Sequence, residues 1–151
     1  MVGKPGQVEA VNALSPDDYA ALAGFRHGIR RYLAFAEAGA RSAGLTPQQH
    51  QALLAIKAHI APGGMSVGEL AGQLLLKHHS VVELAGRLEA AGLVARSPDT
   101  QDRRRVLLAL TATGEQVLAS LSAQNLEELR VVAPALGPLL QHLGQLPGAA
   151  Q

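Results

Sequence analysis

The stretch Asp102-Arg103-Arg104-Arg105-Val106-Leu107-Leu108-Ala109-Leu110-Thr111 decides how this chain is read. An acid and a run of guanidinium groups stand directly before an apolar segment, and Thr111 at its end is a good helix N-cap. Upstream, Leu93-Val94-Ala95-Arg96 reads as a second short strand. Between the two lies Ser97-Pro98-Asp99-Thr100-Gln101, which is turn chemistry. The segment therefore predicts a β-hairpin with Arg103, Arg104 and Arg105 at its tip.

Outward from the hairpin the chain reads as helical. Ser15-Pro16-Asp17-Asp18 is a helix start, with Ser as cap, Pro in the first turn and carboxylates at the positive helix end. Leu22, Phe25, Ile29, Tyr32, Leu33 and Ala36 follow at helical spacing, so a first helix should run to about Arg41 and stop near Gly44. Thr46-Pro47-Gln48-Gln49 is a capping box for a second helix, with Leu53, Leu54, Ile56 and Ile60 as its apolar stripe and Pro62-Gly63-Gly64 as its end. Ser66-Val67-Gly68-Glu69 opens a short third helix over 66–74. A fourth spans roughly His78 to Ala91, with Val81, Leu84, Ala85 and Leu88 inward and Gly92 as its stop. Beyond the hairpin, Thr111 opens a long helix that Pro134 should interrupt, and Leu136, Leu139, Leu140, Leu143 and Leu146 mark a last one.

Composition limits the function. The chain has 151 residues, enough for one domain with a true core, and a net charge of only +1, so a nucleic-acid contact must come from a local patch. It has no cysteine, which excludes disulfides, thiolate metal sites and a cysteine nucleophile within these residues and fits a reducing, cytoplasmic setting. No apolar run reaches the roughly 20 residues of a membrane span, and the first residues lack a signal-peptide profile. There is no Gly-rich phosphate loop, no G-x-S-x-G and no H-E-x-x-H. Neither an enzyme nor a cofactor is expected.

Helices followed by a hairpin across residues 46–110 make a winged helix–turn–helix: mainly α, with a small β wing. In such a module the third helix braces the fourth, and the fourth lies in the DNA major groove. Its outward residues are Lys77, His78, His79, Ser80, Val82, Glu83 and Arg87, while Arg103, Arg104 and Arg105 would track phosphates or enter the minor groove. Residues 46–114 resemble the multiple antibiotic resistance regulator (MarR) family of winged-helix repressors. The likeness rests on Leu88-Glu89-Ala90-Ala91-Gly92-Leu93-Val94 before the wing, Asp102-Arg103-Arg104-Arg105 with Leu107 to Leu110, and Thr111-Ala112-Thr113-Gly114 after it. The flanking helices fit as well. The resemblance implies a homodimer with interleaved terminal helices, a palindromic double-stranded operator, and repression relieved by a small-molecule effector. It implies too that Asp102 holds Arg104 in a fixed pose for the minor groove. Segment by segment, 1–14 is read as a mobile arm and 15–45 as a dimerisation helix. The winged domain is 46–110, 111–146 holds C-terminal dimerisation helices, and 147–151 is a tail.

One stretch departs from the family. Where its recognition helices often begin with Ser, Thr and Arg, this chain has Lys77-His78-His79-Ser80-Val81-Val82-Glu83, so an operator sequence does not carry over. Other readings stand beside the sharp ones. His78 and His79 could hold a metal, but adjacent helical residues point about 100° apart, which favours DNA contact. His27, His50 and His59 could line a pocket, as could Tyr32, or be ordinary histidines. Arg87 could meet phosphate or pair with a wing carboxylate. Asn125 lies in an apolar stripe, where a buried amide can fix helix register, although an exposed helix edge is the simpler reading. The alternative function is a winged helix used for protein contact without DNA.

Overall fold

The computed structural model describes residues 14–145. Apart from Leu14, the expected arm therefore lies outside the described residues, as do Leu146 and the tail. The elements run α1 (Pro16–Ser42), α2 (Pro47–Ala58), β1 (Met65–Ser66), α3 (Val67–Leu74), α4 (His78–Ala90), β2 (Val94–Pro98), β3 (Val106–Leu110) and α5 (Ala112–Gly144). The strands form one antiparallel sheet in the order β1-β3-β2.

Helix starts follow the sequence signals. Ser15, Thr46 and Ser66 each accept from the backbone N–H three residues on, and Asp18, Gln49 and Glu69 return the bond to the cap's own N–H at 2.8 Å. These boxes satisfy donors that a helix start leaves unpaired. Backbone N–H donation from Ser15 holds the Asp18 carboxyl below its ordinary range, with His142 2.7 Å away adding to the effect. The Ser66 N–H does the same for Glu69, helped by His59 and Arg105. Thr111 caps α5 through Gly114 N–H at 3.1 Å and donates its hydroxyl to Gly92 O at 2.6 Å, tying α5 to the hairpin root.

The core sits between α2, α3, α4 and the sheet, with Leu53, Leu70, Val81, Leu88 and Leu108 fully enclosed. The expected inward residues of α4, namely Val81, Leu84, Ala85 and Leu88, are all buried. Outside this core, α1 packs along α5. Gly24 and Gly28 of α1 leave room there: a Cβ on Gly24 would stand 3.2 Å from Leu139, and one on Gly28 would run into Leu136.

Four expectations need correction. Pro134 does not break the last helix; α5 continues through Pro134 and Pro138 to Gly144. Proline removes an N–H and crowds the carbonyl four residues back, but Arg130, Pro134 and Pro138 are all exposed, where water can serve the freed carbonyls. Leu136 and Leu139, seated on the glycines of α1, hold the far side in line. Helix α2 ends at Ala58, so Ile60 falls beyond it and is 97% exposed, and Leu54 of the same expected stripe also faces out. Asn125 is buried, at 9% exposure, rather than at an open helix edge. Finally, the sheet has a third strand, Met65–Ser66 against Leu108 and Leu107, too short to show any periodicity.

Candidate nucleic-acid interface

Helix α3, the turn 75–77 and helix α4 form the helix–turn–helix. Leu75 turns the chain in the left-handed region at φ 55°, and Leu76 N–H bonds back to Ala71 O at 3.0 Å. Helix α4 then starts at Lys77 without a side-chain cap, whereas α1, α2, α3 and α5 are all capped by a hydroxyl. Ser80 N–H bonds back to Lys77 O at 3.1 Å, while the N–H groups of His78 and His79 have no side-chain cap and carry the partial positive charge of a helix start. Around them stand Lys77, His78 and His79, all exposed, with Ser80 half-buried. Glu83 and Arg87 are exposed one turn apart and pair with each other at 3.8 Å. Arg87 therefore finds its carboxylate on its own helix and not on the wing.

The wing is longer and its tip more ordered than the turn residues suggested. Strand β2 runs on to Pro98, which pairs with Val106, so the tip is 99–105. Asp99 N–H donates to Arg105 O at 3.0 Å and Arg105 N–H to Asp102 O at 2.9 Å, while Asp99 Oδ1 accepts from Gln101 N–H at 2.9 Å. Asp102 Oδ1 accepts from both the backbone N–H of Arg104 at 3.1 Å and its Nε at 3.4 Å. The carboxylate thus restrains a guanidinium whose side chain remains 94% exposed.

The run of arginines does not act as one cluster. Arg103 and Arg104 project from the tip. Arg105 folds back between Glu69 Oε2 of α3 at 3.5 Å and Asp99 Oδ2 at 3.7 Å. Its charge is balanced within the protein, and it braces the wing against the helix–turn–helix. Sequence reasoning also missed Arg96, whose Nε lies 3.2 Å from Glu89 of α4. A signal was present: Arg96 stands two residues from buried Val94, and residues two apart in a strand share a face. Between α4 and the wing opens a cleft of about 320 Å³ lined by His78, Val82, Arg96, Arg104 and Val106 among others.

A second cleft, about 390 Å³, lies between α1, α2 and α5 and is lined by Tyr32, Glu37, His50, Leu54 and Asn125 among others. His50 is 5% exposed and its Nε2 has no hydrogen-bond partner. Burial pushes its pKa below the ordinary 6.5, so the neutral ring is favoured. His59 stands elsewhere, 3.9 Å from Glu69 beside the wing, and His27 is exposed on α1. Of the residues read as pocket candidates, the fold brings together Tyr32 and His50 only.

The depressed pKa of His50 has a measurable consequence. Above pH 6.5 the ring is neutral folded or unfolded and adds no penalty; as pH falls below 6.5 the unfolded chain takes up the proton first and gains. Stability should therefore drop between pH 7 and 5.5, and His50→Gln should remove that part of the drop. The lowered carboxyls of Asp18 and Glu69 act in a separate window, below their ordinary 3.8 and 4.5. Thermal melts of both proteins across this range make the check; parallel pH profiles would show that His50 is not responsible.

The fold and this face define a winged helix–turn–helix protein. The sequence model of the MarR family matches residues 43–105. The HTH-type transcriptional regulator YcgE of Bacillus subtilis is 36% identical over 107 residues, covering 70% of this chain and 68% of YcgE, and with the family match this places the chain in the MarR family. The transcriptional activatory protein BadR of Rhodopseudomonas palustris is 42% identical over 74 residues, covering 49% of this chain and 42% of BadR. The repressor MdtR of Bacillus subtilis is 39% identical over 84 residues, covering 53% of this chain and 52% of MdtR. The matches to BadR and MdtR thus span about half the length of these two relatives. Two solved structures share the fold. Staphylococcus aureus MepR in complex with DNA aligns at TM-score 0.65 and 22% identity, over 89% of this chain and 100% of MepR. Bordetella bronchiseptica BpsR, described with regulation of its DNA binding by 6-hydroxynicotinic acid, aligns at TM-score 0.60 and 22% identity, over 95% and 99%. At that identity the likeness concerns fold alone. Among the described residues no helix is long and apolar enough to cross a membrane.

Proposed function

We propose that the protein is a homodimeric transcriptional regulator that binds a palindromic operator and acts as a repressor relieved by a small molecule. The observation that carries the DNA-binding part is the pairing of two features on one face. One is the Asp102-restrained, exposed guanidinium of Arg104; the other is the uncapped start of α4 with Lys77, His78 and His79 around it. In this reading α4 enters the major groove. Ser80 and Glu83 approach base edges, Arg87 lies at the groove margin, and Arg103 and Arg104 reach the neighbouring phosphates or minor groove. Arg105 contributes by holding the wing. The DNA complex of MepR supports this docking, and BadR and MdtR are named for opposite effects on transcription.

Uncovered apolar surface supports dimerisation. Tyr19, Leu22 and Leu33 on α1 and Leu126, Val131 and Leu140 on α5 are exposed in one chain. Apolar faces of that extent mark an interface, and a second copy supplies the two-fold axis that a palindrome requires. The cleft holding His50 and Asn125 lies where these dimer helices meet the winged domain, and we assign the effector to it. The regulation of BpsR by a small aromatic acid supports an effector site of this kind.

Selection of bound DNA from a random pool, followed by salt titration, tests this function. A dimer with about six phosphate contacts should lose roughly a thousandfold in affinity between 50 and 200 mM salt. Light scattering at low micromolar concentration should show a dimer. Failure to enrich any sequence, or affinity insensitive to salt, would instead favour a protein-contact module.

A further inference from the structure

Arg96 begins on the wing and ends on the recognition helix. It stands on β2 opposite Leu108, and its side chain leaves the sheet toward α4. Its Nη2 donates to the carbonyl oxygen of Val82 at 3.4 Å, and its Nε lies 3.2 Å from Glu89 Oε2. Gly86 lies between these anchors in sequence, and a Cβ there would come within 3.2 Å of Nη2. The missing side chain leaves a bed for the guanidinium across the helix. Its surroundings differ from those of Arg104: the Arg96 side chain is only 32% exposed. A flat guanidinium with fixed donor directions suits such a two-point tie better than a lysine would.

We infer that Arg96 is a positioning residue that fixes the separation of α4 and the wing, and thereby the spacing between the major-groove and minor-groove contacts that the protein accepts. This rests on the DNA-binding reading above and deepens it. The cleft between the two elements has His78 and Val82 on the helix side, and Arg104 and Val106 on the wing side. If α4 lies in the major groove and the wing in the adjacent minor groove, the strand that divides the grooves runs along this cleft. Its width must then match the DNA. The wing's other ion pair to a helix, Arg105 to Glu69, leads to α3; α4 and β2 also pack directly on each other, and Arg96 adds a polar tie to that packing. Arg96 alone among the wing arginines bonds to α4 directly.

The competing role for Arg96 is a direct phosphate contact, and two variants separate the roles. After an operator has been selected with the parent protein, derivatives are made in which the wing-facing segment of each half-site is moved by one base pair, about 3.4 Å along the strand. The parent should lose about tenfold or more on the shifted sites. Arg96→Ala and Glu89→Ala should bind the selected site more weakly but lose less than about threefold on shifting, with the slope of affinity against salt unchanged. A phosphate contact predicts otherwise: Arg96→Ala would weaken all sites equally and flatten the salt slope by about one contact, and Glu89→Ala would tighten binding by removing a negative charge. Either that pattern, or the parental shift penalty retained in both variants, overturns the inference while leaving DNA binding intact. If Arg96→Ala does not fold, Glu89→Ala decides alone, because its two expected effects have opposite signs. Should the parent select no sequence, the DNA-binding reading falls and this inference with it.

Discussion

Gly114→Ala should cost about 3 kcal/mol or more and leave the protein poorly folded. This is at the severe end for a single methyl group. The position is the third residue of α5, where a Cβ would run into the backbone carbonyl oxygen of Leu93, with the Leu93 carbonyl carbon 3.1 Å away. A flexible side chain could move aside, but this obstacle is backbone. That carbonyl oxygen also accepts from Thr111 N–H at 3.0 Å, and Thr111 Oγ1 donates to Gly92 O at 2.6 Å. The methyl would have to push α5 away from the hairpin root and break both bonds. Since total stability of a domain this size is about 5–15 kcal/mol, a large fraction would be lost. Gly72→Ala in α3 makes the control, because a Cβ there meets nothing within 4 Å. The same change should then stabilise by about 0.5–1 kcal/mol through reduced backbone freedom in the unfolded chain. Denaturant melts of the two variants should move in opposite directions; a mild loss in Gly114→Ala would show that the helix start can shift freely.

Gly114 also shows what could be read from the sequence and what could not. Thr111-Ala112-Thr113-Gly114 was legible as a helix start, and Thr111 is indeed its cap. The need for glycine was not legible, because it depends on Leu93, far off in sequence. The same division holds elsewhere. Capping boxes and the inward stripe of α4 act within a few residues, so local patterns located the starts of α1 to α4 and the ends of α1, α3 and α4 to within a residue or two, while the end of α2 was read too late. The continuation through Pro134 depends on leucines of α5 meeting glycines of α1, which no local rule supplies. The burial of Asn125 and the unpartnered Nε2 of His50 arise where α1, α2 and α5 meet, and neither shows in the spacing of its own helix. In the site, the arginine run was visible as charge, but its division into free and braced members was not. That split depends on Glu69 and Asp99 facing Arg105 across the base of the wing.

Arg104→Ala and Arg105→Ala, adjacent and chemically identical, should therefore fail in different ways. Arg104 has one protein partner, Asp102, and its side chain is almost wholly exposed, so its removal should leave melting behaviour and dimerisation unchanged. Loss of one such contact should weaken operator binding by about 1–3 kcal/mol. In a symmetric dimer the loss occurs in both wings, so the total approaches about 2–6 kcal/mol, provided the two half-sites act independently. Asp102→Ala should weaken binding less, because the guanidinium stays and only its restraint is lost. Arg105→Ala should act first on the wing itself. Its removal leaves Asp99 and Glu69 facing each other without the cation between them. Weaker binding should then accompany faster hydrogen exchange at Asp99 N–H, which donates to Arg105 O at the wing tip. Operator titration at physiological salt, with amide exchange across 94–110, separates the two. If Arg104→Ala bound as tightly as the parent, Arg104 would not be a DNA contact. If instead Arg105→Ala lost affinity with wing exchange unchanged, Arg105 would be contacting the DNA itself, and the division drawn between the two arginines would be wrong.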